Sequence, residues 1–261
     1  MNLSDHRDIP KAKRIVVKVG SSSITGANEK NLDLLVEAIA NSTKSGQEIV
    51  LVTSGAIATG LPLLNLTEKP SDLATKQALA SVGQSRLMGK YETSLGRFNL
   101  LAGQVLLTAG DFEQAETSEN ASKAIDRLLE LKVVPIVNEN DTVATQEIAF
   151  GDNDKLASLV AVLVKADALI LLSDVDALYD RPPTEPGSQK IEWVEPEDDL
   201  STIKIGGSAS SVGTGGAETK LEAAKYARGH GVTVLLTSID SAAGVLSGER
   251  VGTWFQAKET K

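Results

Sequence analysis

The chain has no cysteine, only two histidines, and an aromatic content of 3% over its 261 residues. Without cysteine there is no disulfide, no thiolate nucleophile and no thiolate-held metal. His6 and His230 lie too far apart for a histidine-rich metal motif, and a Ser-His-Asp triad would have to rely on His230 alone. So few aromatics argue against a platform on which nucleobases stack. Positive charge is also scarce. The 26 Lys and Arg against 35 Asp and Glu leave a formal net charge of −9, which repels nucleic-acid phosphates and permits only a local basic pocket for a small anion. No apolar run reaches membrane-spanning length, and residues 1–13 are polar and charged, without the apolar centre of a secretory signal. These absences predict a cytoplasmic protein that binds neither membrane nor nucleic acid, with a loose tail over 1–13 and another over 257–261.

What is present is a globular composition, 41% hydrophobic and 23% charged, on a chain long enough for one continuous core. Short Val/Ile/Leu runs occur at 14–19, 48–53, 99–107, 133–137, 168–173 and 232–236. They are nearly unbroken rather than alternating, as in strands covered on both faces. Between them, 31–43, 72–94, 116–131, 152–165 and 214–228 carry apolar residues at helical spacing. The alternation predicts an α/β fold, a three-layer αβα sandwich around a mostly parallel sheet. We expect a single domain over 14–256 with two lobes, about 14–165 and about 166–256. Residues 176–213 differ in character, with four prolines, an acidic group and a Gly/Ser run, and read as an excursion with little strand pairing that ends in a mobile loop.

Four places could carry chemistry. Lys18 sits inside the apolar run of the first strand, before Gly20 and three serines. A buried lysine needs an anion, and the end of a parallel strand is where ligands of open α/β sheets collect; the competing reading is a solvent-facing lysine near a strand end. The second strand ends in Ser54, Gly55 and Ala56, either a helix N-terminus aimed at an anion or an ordinary N-cap serine. Past the fourth strand come Asn138, Glu139, Asn140 and Asp141, then Gly151, Asp152, Asn153 and Asp154. Turn chemistry explains some of these, and Asp152 could be a cap. The remainder could bind an ammonium group, orient lysines or face a hydrated magnesium ion. Last, a glycine-rich loop, Gly213 to Gly216, opens a helix that holds Lys220. Neither the P-loop pattern nor G-x-G-x-x-G is present, since Glu218 stands where the third glycine of the latter would be.

Taken together, Val52 to Ala58, Val82 to Leu87, Asn138 to Asp141, Gly151 to Asp154 and Gly213 to Lys220 resemble the glutamate kinases of the amino acid kinase superfamily, from Arg14 to Phe255. The resemblance implies ATP-dependent phosphorylation of the γ-carboxylate of L-glutamate, the opening step of proline biosynthesis, with Mg²⁺ carried mainly on the ATP phosphates and no metal ligand assigned on the protein. It assigns Ser54, Asp141 and Asn153 to glutamate, with Gly55, Ala56 and Asn138 lining the same pocket. Lys18 and Lys220 correspond to the phosphate-handling lysines and Asp154 to the acidic residue that orients them. Ser173, Asp174, Thr214, Gly215, Gly216, Ala217, Glu218, Thr219 and Lys220 correspond to nucleotide contacts. The resemblance further implies a dimer or tetramer, with a packing face on the helix near 72–94, proline as feedback inhibitor and a downstream reductase. Ala149 stands where some relatives have a basic residue, and the PUA domain of many bacterial members is expected to be absent here. The rival readings are a kinase of the same fold acting on acetylglutamate, aspartate, carbamate or a nucleoside monophosphate, a non-catalytic amino acid sensor, and a Rossmann dehydrogenase without its fingerprint.

Overall fold

The computed structural model describes residues 3–144, 153–198, 200 and 216–259. Strands form where the apolar runs lie: β1 (Arg14–Val19), β2 (Glu48–Val52), β3 (Leu101–Leu107), β4 (Val133–Glu139), β5 (Ala168–Ser173), β6 (Leu178–Tyr179), β7 (Lys190–Ile191), β8 (Trp193–Val194), β9 (Thr233–Ser238) and β10 (Thr253–Phe255). The main helices are α2 (Lys30–Lys44), α3 (Ala56–Leu63), α4 (Leu73–Gly96), α6 (Ala115–Glu130), α7 (Asn153–Leu163) and α8 (Ala217–Gly229), and α1 (Ser21–Ile24), α5 (Ala109–Glu113) and α9 (Ala242–Leu246) are short.

The main sheet runs β3-β4-β2-β1-β5-β9-β10-β8. It is parallel from β3 to β9, β10 enters antiparallel to β9, and β8 pairs parallel with β10. The period-two alternation of β1 divides the core. Ile15, Val17 and Val19 join the layer that includes Leu35 and Ile39 of α2 and Leu87 and Tyr91 of α4. Val16 faces the other layer, with Leu156 and Val160 of α7 and Leu221 and Ala224 of α8. Lys18, two residues beyond Val16, is therefore carried on the α7/α8 side. The α/β sandwich with a mostly parallel sheet is thus the fold, and among the described residues no helix is long and apolar enough to cross a membrane.

Three expectations are corrected. Residues 3–13 are no loose tail: Asp5 caps a 3₁₀ helix at His6–Lys11, and Leu3, Ile9 and Ala12 are buried in the core. Most of its charged residues sit outside while His6 and Ile9 are buried, a pattern too short to stand out from composition. At the other terminus Ala257 is buried, and the Lys258 N–H bonds the Arg228 carbonyl at 2.9 Å. The excursion after residue 176 pairs more than expected, since β6 and β7 form an antiparallel pair and β8 joins the main sheet. The Gly/Ser run 206–213 lies outside the described residues, as do Gly151 and Asp152.

Candidate active site

Parallel strands deliver their C-terminal ends to one edge of the sheet, and the chemistry-bearing residues collect there. Lys18 is 1% exposed and its Nζ lies 2.5 Å from Oδ1 of Asp154, itself fully buried in the first turn of α7. The other carboxylate oxygen, Oδ2, meets Lys220 Nζ at 2.9 Å and accepts from Thr219 Oγ1 at 3.0 Å. A buried strand can hold a lysine because this carboxylate meets it. The same carboxylate holds a second lysine, from α8.

These lysines open onto a cavity of about 580 Å³. Lys18, Ser54, Gly55, Ala56, Asn138, Asp141, Asn153, Ser173, Asp174 and Lys220 all line it, although their positions span more than 200 residues of sequence. Asp154 lies beneath, and Gly216, Ala217, Glu218 and Thr219 form the start of α8, which has no side-chain cap. Thr214 and Gly215 lie outside the described residues.

Ser54 is not an ordinary N-cap. The cap of α3 is Gly55, whose φ of 108° favours glycine, and no side chain caps this helix. A Cβ on Gly55 would stand 3.2 Å from Cγ2 of Thr25 and 3.4 Å from Cβ of Ser21. The unfilled N–H groups of the first turn of α3 belong to Ala56, Ile57 and Ala58, all at the cavity wall. Behind them α3 meets α4 backbone to backbone: a Cβ on Gly83 would fall 1.8 Å from the Ala56 carbonyl oxygen.

On the same side the amides interlock. Asn153 Nδ2 donates to the Thr53 carbonyl at 2.5 Å and to Asn138 Oδ1 at 2.6 Å. Asn138 Oδ1 also accepts from the Glu139 N–H at 2.9 Å, and its Nδ2 donates to Gln84 Oε1 at 2.7 Å. Asp141 is half-buried at the wall. Burial pushes its carboxyl up to about 6, against the opposing positive charge of Lys69.

Reading the sequence missed Lys69, Ser21, Ser22 and Thr25, all at the cavity wall. The three serines after Gly20 stand next to Lys18 in the sequence, whereas Lys69, between Glu68 and Pro70, carries no signal at all. The place of Gln84 behind Asn138 was also not visible, although the segment around it was among the most specific motifs.

An αβα sheet with two lysines on a buried aspartate at its C-terminal edge defines a phosphotransferase-like site, and the amino acid kinase family model matches residues 13–238. The glutamate 5-kinase of Clavibacter michiganensis subsp. michiganensis is 57% identical over 255 residues, covering 98% of this chain and 98% of that protein. The glutamate 5-kinase of Leifsonia xyli subsp. xyli is 55% identical, covering 100% of this chain and 97% of that one. The glutamate 5-kinase of Salinispora arenicola is 54% identical, covering 94% of this chain and 68% of its own length. Among solved structures, carbamate kinase from Giardia lamblia bound to AMP-PNP superposes with a TM-score of 0.70 at 15% identity, over 95% of this chain and all of that one, a likeness of fold. The chain belongs to the amino acid kinase family and, within it, to the glutamate 5-kinases.

Proposed function

We propose that the chain transfers the γ-phosphoryl group of ATP to the γ-carboxylate of L-glutamate, giving L-glutamyl 5-phosphate, the first step of proline biosynthesis. The observation that carries this reading is the Lys18–Asp154–Lys220 cluster: two ammonium groups on one buried carboxylate, facing a cavity with an acidic residue, Asp141, in its wall. A carboxylate with a reference pKa of about 4.3 is ionised at neutral pH, so its oxygen attacks without a general base, and a site without histidine is no handicap. The new O–P bond forms as the bond from the γ-phosphorus to the bridging oxygen breaks, and ADP departs with that electron pair. Lys18 and Lys220 stabilise the charge on the transferring group and leaving oxygen, and Asp154 holds both ammonium groups in position. Both Asp154 oxygens meet lysines, so Asp154 serves to place them, and a magnesium ion would arrive on the triphosphate.

Glutamate then lies with its α-ammonium against Asp141 and Asn153, between the first turn of α3 and the amides of Asn138 and Asn153. ATP occupies the side formed by Ser173, Asp174 and the start of α8, with Thr214 and Gly215 as further contacts implied by the resemblance, so the lobe 14–165 takes glutamate and the lobe 166–256 takes the nucleotide. A dimer or tetramer, proline feedback and delivery of the labile acyl phosphate to a reductase in the cytoplasm belong to the same reading. Sedimentation at several concentrations and rates with added proline check the first two.

The decisive experiment gives the purified chain ATP and Mg²⁺ and traps acyl phosphate with hydroxylamine, across L-glutamate, acetylglutamate, aspartate, carbamate and no acceptor. Hydroxamate with L-glutamate alone is the expected result. None with any acceptor, from folded protein, would replace the kinase by an amino acid sensor.

A further inference from the structure

The wall of the cavity beside Asp141 is built from side-chain amides, groups that turn from donor to acceptor on a half-rotation. Here the sense that each has is identified by backbone groups that cannot reverse. The Glu139 N–H only donates, so the Asn138 atom that meets it at 2.9 Å is Oδ1. The Thr53 carbonyl only accepts, so the Asn153 atom that meets it is Nδ2. Asn153 therefore donates to Asn138 Oδ1, and Asn138 is left to donate outward through Nδ2, to Gln84 Oε1 at 2.7 Å. Gln84 in turn places Nε2 3.3 Å from Gln104 Oε1 on β3. All three inner members are buried: Gln84 is 8% exposed, Asn138 2% and Asn153 5%.

The direction of this chain matters for what the cavity meets. With Nδ2 of Asn153 committed twice, the polar atom it has left for a ligand is Oδ1, an acceptor on a residue that lines the same cavity as Asp141. Two acceptors together suit an ammonium group, whereas an outward-turned N–H would oppose one. Asn138 holds Asn153 in this sense most firmly while its own Nδ2 also has a partner, and that partner is Gln84. A buried amide donor without one is strongly unfavourable, and swinging Nδ2 toward the cavity relieves it by giving up the bond to Asn153.

We propose that Gln84, which lies behind the cavity and does not line it, is a positioning residue that fixes the hydrogen-bond polarity of the amide wall and so selects an acceptor substrate bearing an α-ammonium group. This rests on reading the cavity as the glutamate site. It also gives the segment around Gln84 a task in the site that its place on α4, away from the reacting groups, does not suggest.

The test compares glutamate with glutarate, which has both carboxylates and no ammonium. Gln84→Met removes both polar ends at nearly constant volume, and Gln84→Asn keeps them but draws the oxygen back by one methylene. In either variant KM for glutamate rises roughly two- to tenfold, the loss of one buried hydrogen bond, with kcat, KM for ATP and the inhibition constant of glutarate unchanged. Folded variants with an unchanged glutamate KM, or with glutamate KM and the glutarate constant rising together, would overturn the role given to Gln84 while wild-type turnover leaves the glutamate reading standing. Wild-type protein that makes no hydroxamate from glutamate would overturn that reading and this proposal with it.

Discussion

Arg14 and Lys18 lie on the same face of the same strand, with Val16 between them and about 13 Å of extended backbone separating their Cα atoms. Each is a cation among carboxylates, and the two ends of β1 use that pairing differently. Arg14 is enclosed by acceptors: Glu48 at 2.7 Å, Asp126 at 2.7 Å and the Val164 carbonyl at 2.6 Å. Asp167 accepts the backbone N–H groups of Lys13 and Arg14 beside it. Lys13 also pairs with Glu48 at 3.6 Å, so the charges at this end meet one another within the fold. At the Lys18 end two lysines meet Asp154, and both line a cavity. A buried charge cluster is thus better read by what it faces than by the number of ion pairs in it.

The comparison is broken most severely at Lys18. Lys18→Ala leaves Asp154 paired with Lys220, so the fold is expected to survive, while kcat falls by roughly 10²–10³, the effect of removing one charge-stabilising donor from the transition state. Steady-state hydroxamate assays measure this, and a folded variant with wild-type kcat would remove Lys18 from the chemistry. Next in size is Gly83→Ala. Its Cβ would fall 1.8 Å from the Ala56 carbonyl oxygen, so α3 must move away from α4, at a cost of about 1–3 kcal/mol in denaturant unfolding. Because α3 begins at Gly55 in the cavity wall, KM for glutamate is expected to rise as well. Arg14→Met probes the opposite end of β1. Its ion pairs are half-buried, so the expected loss is about 1–2 kcal/mol of stability, between exposed and buried pairs, with kcat unchanged. A fall in kcat comparable to that of Lys18→Ala would erase the distinction between the two ends.

Both ends of β1 were legible to different degrees, and the reason is sequence distance. The apolar runs marked β1, β2 and β5 to within a residue, because strands covered on both faces have no polar interruption to blur them. Lys18 stood out as the exception within such a run, and the Asn/Asp clusters stood out by density. By contrast β8 and β10 are two and three residues long, too short for any periodicity, and Trp193 and Trp254 acquire meaning only by stacking at 5.4 Å. The amide wall draws on Thr53, Gln84, Asn138 and Asn153, and Asn153 bonds a residue 100 positions away. No local pattern encodes a partnership of that span. The buried N-terminal helix was misread because a charged exterior outweighs three apolar residues in any compositional judgement.

The smallest expected effect sharpens the comparison by titrating one side of the cavity alone. Asp141 has its carboxyl pushed up to about 6 by burial, whereas the substrate γ-carboxylate, with a reference value of about 4.3, is mostly ionised between pH 5 and 7. Between the ordinary carboxylate value and about 6 the folded state holds this proton more firmly than the unfolded chain does, so the contribution of Asp141 to stability falls as pH rises through that window. For binding the sign is opposite. The neutral carboxyl gives up its attraction for an ammonium group, so KM for glutamate rises about tenfold between pH 7 and pH 5, one pH unit below the midpoint, while kcat stays level. Asp141→Asn is expected to show the high KM at both pH values and no slope between them. If the slope survives in that variant, another group titrates in the wall. If kcat falls with pH in the wild type while KM stays flat, Asp141 belongs with Lys18 in the chemistry and the division between a cationic floor and an anionic wall must be redrawn.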